Sequence, residues 1–346
     1  MSHTSHRLIS LGASFVLVAF LLVTRAPAAD APSGEYKVVK VIPVEGDGRW
    51  DYLTVDPDAH RLYVPRSSHT QVIDLESGKV AADWADTQGV HGVALVPEKH
   101  LAFTSNGRAN AVGVYDTKTD KKLADVKTGT GPDAILYDPA SGKVLAMNHR
   151  GGTITLITLG ADNQFTPQEL EVGGALEAGV TDGQGHAWVN AEDKNEVVEI
   201  DTKDAKVLKH FPIEGGTGPT GLAFDPAKRR LYIGCGENNV MAVMDADSGK
   251  VLGTVPIGPR CDGTAFDPGS NEAFAACGDG TMTRVTESSD GKFTGTKIQT
   301  RPGARTIALD PKSHTMYLPT AEFDASKAGS RPTMKPGTFG IVVVGK

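Results

Sequence analysis

One unit recurs seven times between Trp50 and the C-terminus, at a period of 40 to 44 residues. Each copy carries a Pro or Gly after a short apolar run: Pro57, Pro97, Pro139, Gly183, Pro226, Pro268 and Pro311. Six residues on, or five after Gly183, stands a large apolar residue: Tyr63, Phe103, Leu145, Trp188, Tyr232, Phe274 and Tyr317. Such a unit cannot bury both faces of its own short strands, so it must stack on further copies. Strand-and-turn repeats of about this length are propeller blades. The expected fold is all-β: seven blades, each a four-stranded antiparallel sheet.

The fifth copy shows how one unit becomes one blade. Residues 221–224 are an apolar innermost strand, and Pro226 withdraws a ladder donor where that strand must stop. Residues 230–233, Val240–Asp245 and Val251–Pro256 are three more short runs, the last two joined by Asp247-Ser248-Gly249-Lys250. That turn places Gly where a hairpin needs positive φ. No segment has a helical period. The last copy has a third strand at 339–344 and then no outer one. Segment 36–44 resembles the outer strands and is expected to complete the seventh blade, closing the circle.

Residues 1–28 read as a secretory leader: Arg7, an apolar run from Leu8 to Val23, and Ala26-Pro27-Ala28 as a small-residue cleavage site. The run is shorter than the roughly 20 residues a membrane span needs. No Cys follows it, so a lipid anchor is excluded. The expectation is a periplasmic or extracellular single domain over 29–346, a monomer with no membrane span. Without Arg7 and Arg25 the chain keeps 33 basic against 42 acidic residues, a balance of −9. That balance and the lack of any Lys/Arg-rich run argue against nucleic acid as a partner.

Residues 103–106 (Phe-Thr-Ser-Asn), 131–135 (Gly-Pro-Asp-Ala-Ile), 218–226 (Gly-Pro-Thr-Gly-Leu-Ala-Phe-Asp-Pro) and 244–250 (Met-Asp-Ala-Asp-Ser-Gly-Lys) carry a resemblance. The repeat resembles the YVTN-type β-propeller repeat, and the whole chain past the leader is similar to the YncE-like branch. The resemblance implies a propeller whose motif Asn caps the second strand. It also implies single-stranded DNA binding, to which the acidic balance lends little support.

Repetition lets equivalent positions be treated as rings. Six residues before each marker stand Asp51, His91, Asp133, Glu177 or Ala178, Thr220, Asp262 and Arg305. These are expected around the mouth of the central channel, on the face called the top. Crowded carboxylates raise one another's pKa unless a cation lies between them, and oxygen ligands with one imidazole suit a divalent ion. Two readings stay open: a metal or ligand site using Asp51, His91, Asp133 and Asp262, or a solvated polar rim. A second ring, at the ends of the second strands, holds Arg66, Asn106, Asn148, Cys235 and Cys277, with Arg108, His149 and Arg150 in adjoining turns. Its basic and amide groups could meet an anionic ligand or only cap strands.

Cys261 precedes Asp262 and should lie opposite Cys277, within bridging reach. A disulfide, inert thiols, or a thiolate metal site with His91 all remain possible. A bottom-turn position holds His60, His100, His186 and His314, expected as exposed turn residues. Residues 321–337 form a long top-face loop in the last copy, a lid or an idle insertion. GxSxG, HExxH, CxxCH and P-loop templates are absent. The leading expectation is a binding or scaffold module working through its top face on a small molecule or a protein. The runner-up is a metal-assisted, lactonase-like hydrolase or lyase with His91 as base.

Overall fold

The computed structural model describes Met1, residues 34–324 and residues 333–346. The expected leader lies outside them, as does 325–332 of the long loop. The described strands form seven four-stranded antiparallel sheets. Two single-turn 3-10 segments, Pro97–Lys99 and Glu192–Lys194, are the helical exceptions among the described residues. The innermost strands are Thr54–Asp56, Val90–Val96, Pro132–Asp138, Leu176–Thr181, Pro219–Asp225, Cys261–Asp267 and Ala308–Asp310. Each packs against the next, and the last packs against the first. The sheets are therefore blades about one axis.

The repeat works through its large apolar residue. Tyr63, Phe103, Leu145, Trp188, Tyr232, Phe274 and Tyr317 are all buried. The hydrophobic clusters each lie between adjacent blades rather than inside one. Trp188, Val197, Phe211 and Ile213 of blade four, for example, pack on Leu222, Leu231, Ile233 and Met244 of blade five. Trp188 stacks on Phe224 at 5.2 Å. A blade without its neighbour would expose both apolar faces, so stability is shared around the circle.

Closure runs through the N-terminal strand Lys37–Pro43. It pairs with Gly340–Gly345 from Lys37↔Gly345 to Pro43↔Gly340, as the fourth strand of the seventh blade. Arg66 locks the join. It is fully buried, not on the top face as its place in the repeat suggests. Its guanidinium donates to Gly46 O at 2.9 Å, Gly48 O at 3.0 Å and Gln71 Oε1 at 2.6 Å, and lies over Phe339 at 3.6 Å. Blade one is thereby tied to the segment entering from the closing strand and to blade seven. Burial pushes the Arg66 pKa down to about 10.

The bottom-turn position takes positive φ in six copies, as at His60 (52°), His100 (54°) and His314 (56°), while in the shortened fourth copy Gly185 takes it and His186 begins a strand. His314 is nevertheless buried, with Nδ1 at 3.0 Å from Asp267, so that position is not uniformly exposed.

Arg66→Ala would leave the buried Gln71 amide oxygen without its donor, free the Gly46 and Gly48 carbonyls, and open a void beside Phe339. The expected cost is about 3 kcal/mol, read as a fall in Tm of roughly 5–10 °C. A variant melting within 1 °C of the parent would refute Arg66 as the lock.

Candidate functional site

A backbone irregularity sets the ring. His91, Asp133, Glu177, Thr220 and Asp262 each sit inside a register shift at the head of an innermost strand. One extra residue there leaves the ladder and re-aims its side chain toward the axis. The residue after it is Gly or Ala, because neighbouring blades nearly touch. A Cβ on Gly263 would stand 3.0 Å from Ile307 N, and one on Gly221 would stand 2.9 Å from Thr264 N.

Latches join adjacent blades at this level. Thr306 Oγ1 donates to Asp51 O at 3.0 Å, and Tyr52 N donates to His91 O at 3.0 Å. Ser105 Oγ accepts from Gly92 N and donates to Asp133 O. Asn190 Nδ2 donates to Gly221 O at 3.1 Å, and Thr220 Oγ1 to Cys261 O at 2.7 Å. Most of these bonds end on the backbone at or beside a ring residue, so they fix the ring as well as the circle.

The first four blades converge. His91 Nδ1 lies 2.7 Å from Asp51 Oδ2 and 3.5 Å from Asp133 Oδ1. The fourth-repeat position is Glu177, and its Oε1 meets His149 Nδ1 at 3.0 Å. Tyr52 spans the channel from blade one to blade four, its hydroxyl donating to Glu177 Oε2 at 2.6 Å. Asp51, His91 and Asp133 offer donor atoms within 4.8 Å of one another, and so do Asp133, His149 and Glu177. Below lies a cavity of about 160 Å³ lined by Tyr52, Gly92, Ala134, Ala178, Asp262 and others.

The electrostatics follow from this crowding. Burial opposes charge on His91, but the bond to Asp51 and the fields of Asp133, Asp51 and Glu177 outweigh it and raise its pKa to about 9. The bond to Glu177 raises His149 to about 9 as well, against burial. Burial, then the charge of Asp51, holds Asp133 well above the usual carboxylate range, with His91 opposing. Burial pushes Asp262 up to about 7 against the pull of Arg305. Burial raises the Tyr52 phenol well above its ordinary value, so it remains a neutral donor.

Several expectations are corrected. The bond to Asp51 and the neighbouring acids favour the protonated form of His91, which works against the role of free base. Asp262 does not join the triad; it pairs with Arg305 at 2.7 Å. Asn106 and Asn148 are buried and face the blade interior, Asn148 Nδ2 donating to Thr153 and Thr155 hydroxyls at 2.8 and 2.9 Å. Arg108 and Arg150 are exposed on the rim, Arg150 donating to Gly107 O at 3.1 Å. Cys261 and Cys277 do lie opposite one another, but all three cysteines are buried free thiols. The base of the long loop packs Phe323 on Trp50 at 5.9 Å, one residue from Asp51. Tyr52 has no place in either sequence ring, and His149 is expected beside the second ring rather than at the channel mouth. The signal for Tyr52 is an aromatic where five other copies have Gly or Ala after the ring residue and the seventh has Thr306.

No protein-family model and no curated protein sequence matches the chain. Solved structures do. A chain of the mitotic checkpoint complex aligns at TM-score 0.72 and 17% identity, over 88% of this chain and 95% of that one. Virginiamycin B lyase from Staphylococcus aureus aligns at 0.69 and 17%, over 90% and 100%. The WD40 repeats of RRP9 align at 0.70 and 10%, over 92% and 100%. At these identities the likeness is one of fold.

The raised histidines make a stability claim. A histidine raised on folding contributes fully below about 6.5, and the contribution disappears as pH rises through about 9. In the presence of chelator, unfolding free energy should therefore fall between pH 7 and 9.5, by an order of 1 kcal/mol because both rings are partly solvated. His91→Gln should flatten the curve. An NMR titration giving either ring a pKa below 7 would contradict the assignment.

Proposed function

We propose that this chain is a binding propeller that takes up its ligand at the channel mouth, with a divalent cation held by Asp51, His91 and Asp133 as part of that site. The observation that carries this reading is the convergence of two carboxylates and an imidazole, from three separate blades, within 4.8 Å. All three side chains keep some solvent access: 19% for Asp51, 35% for His91 and 18% for Asp133. His91 and Asp133 stand at the heads of innermost strands, and Asp51 lies just before one with its carbonyl held by Thr306, so little ordering entropy opposes binding. Gly107 backs the imidazole, and a Cβ there would stand 3.1 Å from Nε2.

A base-driven hydrolase is the poorer fit. Protonated, His91 cannot accept a proton; with an ion bound, its Nδ1 is a ligand. The leader-like sequence at 1–28 supports work outside the cytoplasm.

Chelator-stripped protein titrated calorimetrically with Mn²⁺ at pH 7.5 should bind with a Kd on the order of micromolar, releasing protons as it does so. His91→Gln should weaken binding by about tenfold or more. Absence of binding heat, or affinity unchanged in the variant, would refute the site.

A further inference from the structure

Asp133 belongs to two donor sets at once. With Asp51 and His91 it forms one triad, and with His149 and Glu177 it forms another, each within 4.8 Å. We propose that the channel mouth is a two-ion centre in which the Asp133 carboxylate bridges two divalent cations, the second held by His149 and Glu177. The inference rests on the cation-site reading above and goes further: it adds a second ion and assigns ligands to it.

The spacings fit with little movement. Ligands about 2.1 Å from an ion and at right angles to one another lie about 3 Å apart. The separations here are 2.7 Å for His91 to Asp51, 3.5 Å for His91 to Asp133 and 3.0 Å for His149 to Glu177. An ion enters each half by taking the place of the imidazole proton. Paired ions sharing a carboxylate stand about 3.5–4 Å apart; Asp133 Oδ1 is the oxygen nearer His91, and a carboxylate has a second to offer.

Glu177 is divided in the same sense. Tyr52 donates to Oε2 at 2.6 Å, which leaves Oε1, on the His149 side, to the ion. Such an outer hydrogen bond orients a ligating carboxylate. One imidazole per half with shared carboxylates suits Mn²⁺, Co²⁺ or Zn²⁺ better than Mg²⁺ or Ca²⁺. Two dications outweigh the three carboxylates by one positive charge, while Asp262 is matched by Arg305. Glu192, whose charge acts on His149 and Glu177, stands against that remaining positive charge.

The test is a metal count. Chelator-stripped full-length chain is loaded with Mn²⁺, passed through gel filtration, and assayed by mass spectrometry for metal and by EPR for spin coupling. Two ions per chain with a coupled signal are expected. Glu177→Gln and His149→Gln should each retain one uncoupled ion, with the β circular-dichroism spectrum and melting cooperativity confirming a folded propeller. One ion in the parent chain, or two retained in both variants, would overturn the two-ion centre while leaving the single-ion site intact. No ion in the parent would overturn both.

Discussion

Seven sheets can share an axis only if the first and last are joined, and one strand pairing makes that join. Lys37–Pro43 lies along Gly340–Gly345, so residues about 300 apart in sequence occupy one sheet. Everything at the channel mouth depends on it. Asp51 belongs to the first blade after the join, and Thr306, from the blade before it, fixes the Asp51 carbonyl. An open arrangement would separate Asp51 from its seat and leave two blades with bare apolar faces.

Given closure, the chemistry of the mouth comes from economy of space. At the axis the blades approach until a single Cβ on Gly221 or Gly263 would touch the next backbone. Bulges in blades two to six each place one side chain into that narrow opening, and Asp51 and Arg305 join them from just before the innermost strands of blades one and seven. Carboxylates forced so close must be offset. The chain does this with two imidazolium rings on one side and Arg305 on the other. Such a balance is stable with protons and equally open to exchange of those protons for metal ions.

Much of this was legible in the repeat. The marker residues predict the blade count, the large apolar residue predicts the inter-blade core, and the position six before the marker predicts Asp51, His91, Asp133 and Asp262 at the mouth. The fourth repeat stayed ambiguous between Glu177 and Ala178 until the register Leu176↔Ala191 and Gly179↔Val189 placed the extra residue. What repetition could not supply was side-chain direction. Arg66 and Asn148 hold equivalent strand-end positions to residues near the top rim, yet both turn inward, because carbonyls of 46 and 48 and hydroxyls of 153 and 155 await them. Tyr52 and His149 join the ring through contacts across the channel and between blades. Those contacts depend on distances in the closed circle, which a one-dimensional pattern does not contain.

The central claim is that residues from four blades form a single cation-binding mouth. Anomalous diffraction from crystals grown with Mn²⁺ tests it most directly. The account predicts anomalous density at the channel mouth, bonded to an Asp133 oxygen and to an imidazole nitrogen. Density confined to the outer surface, or a mouth with no anomalous signal in crystals that hold Mn²⁺ elsewhere, would contradict it.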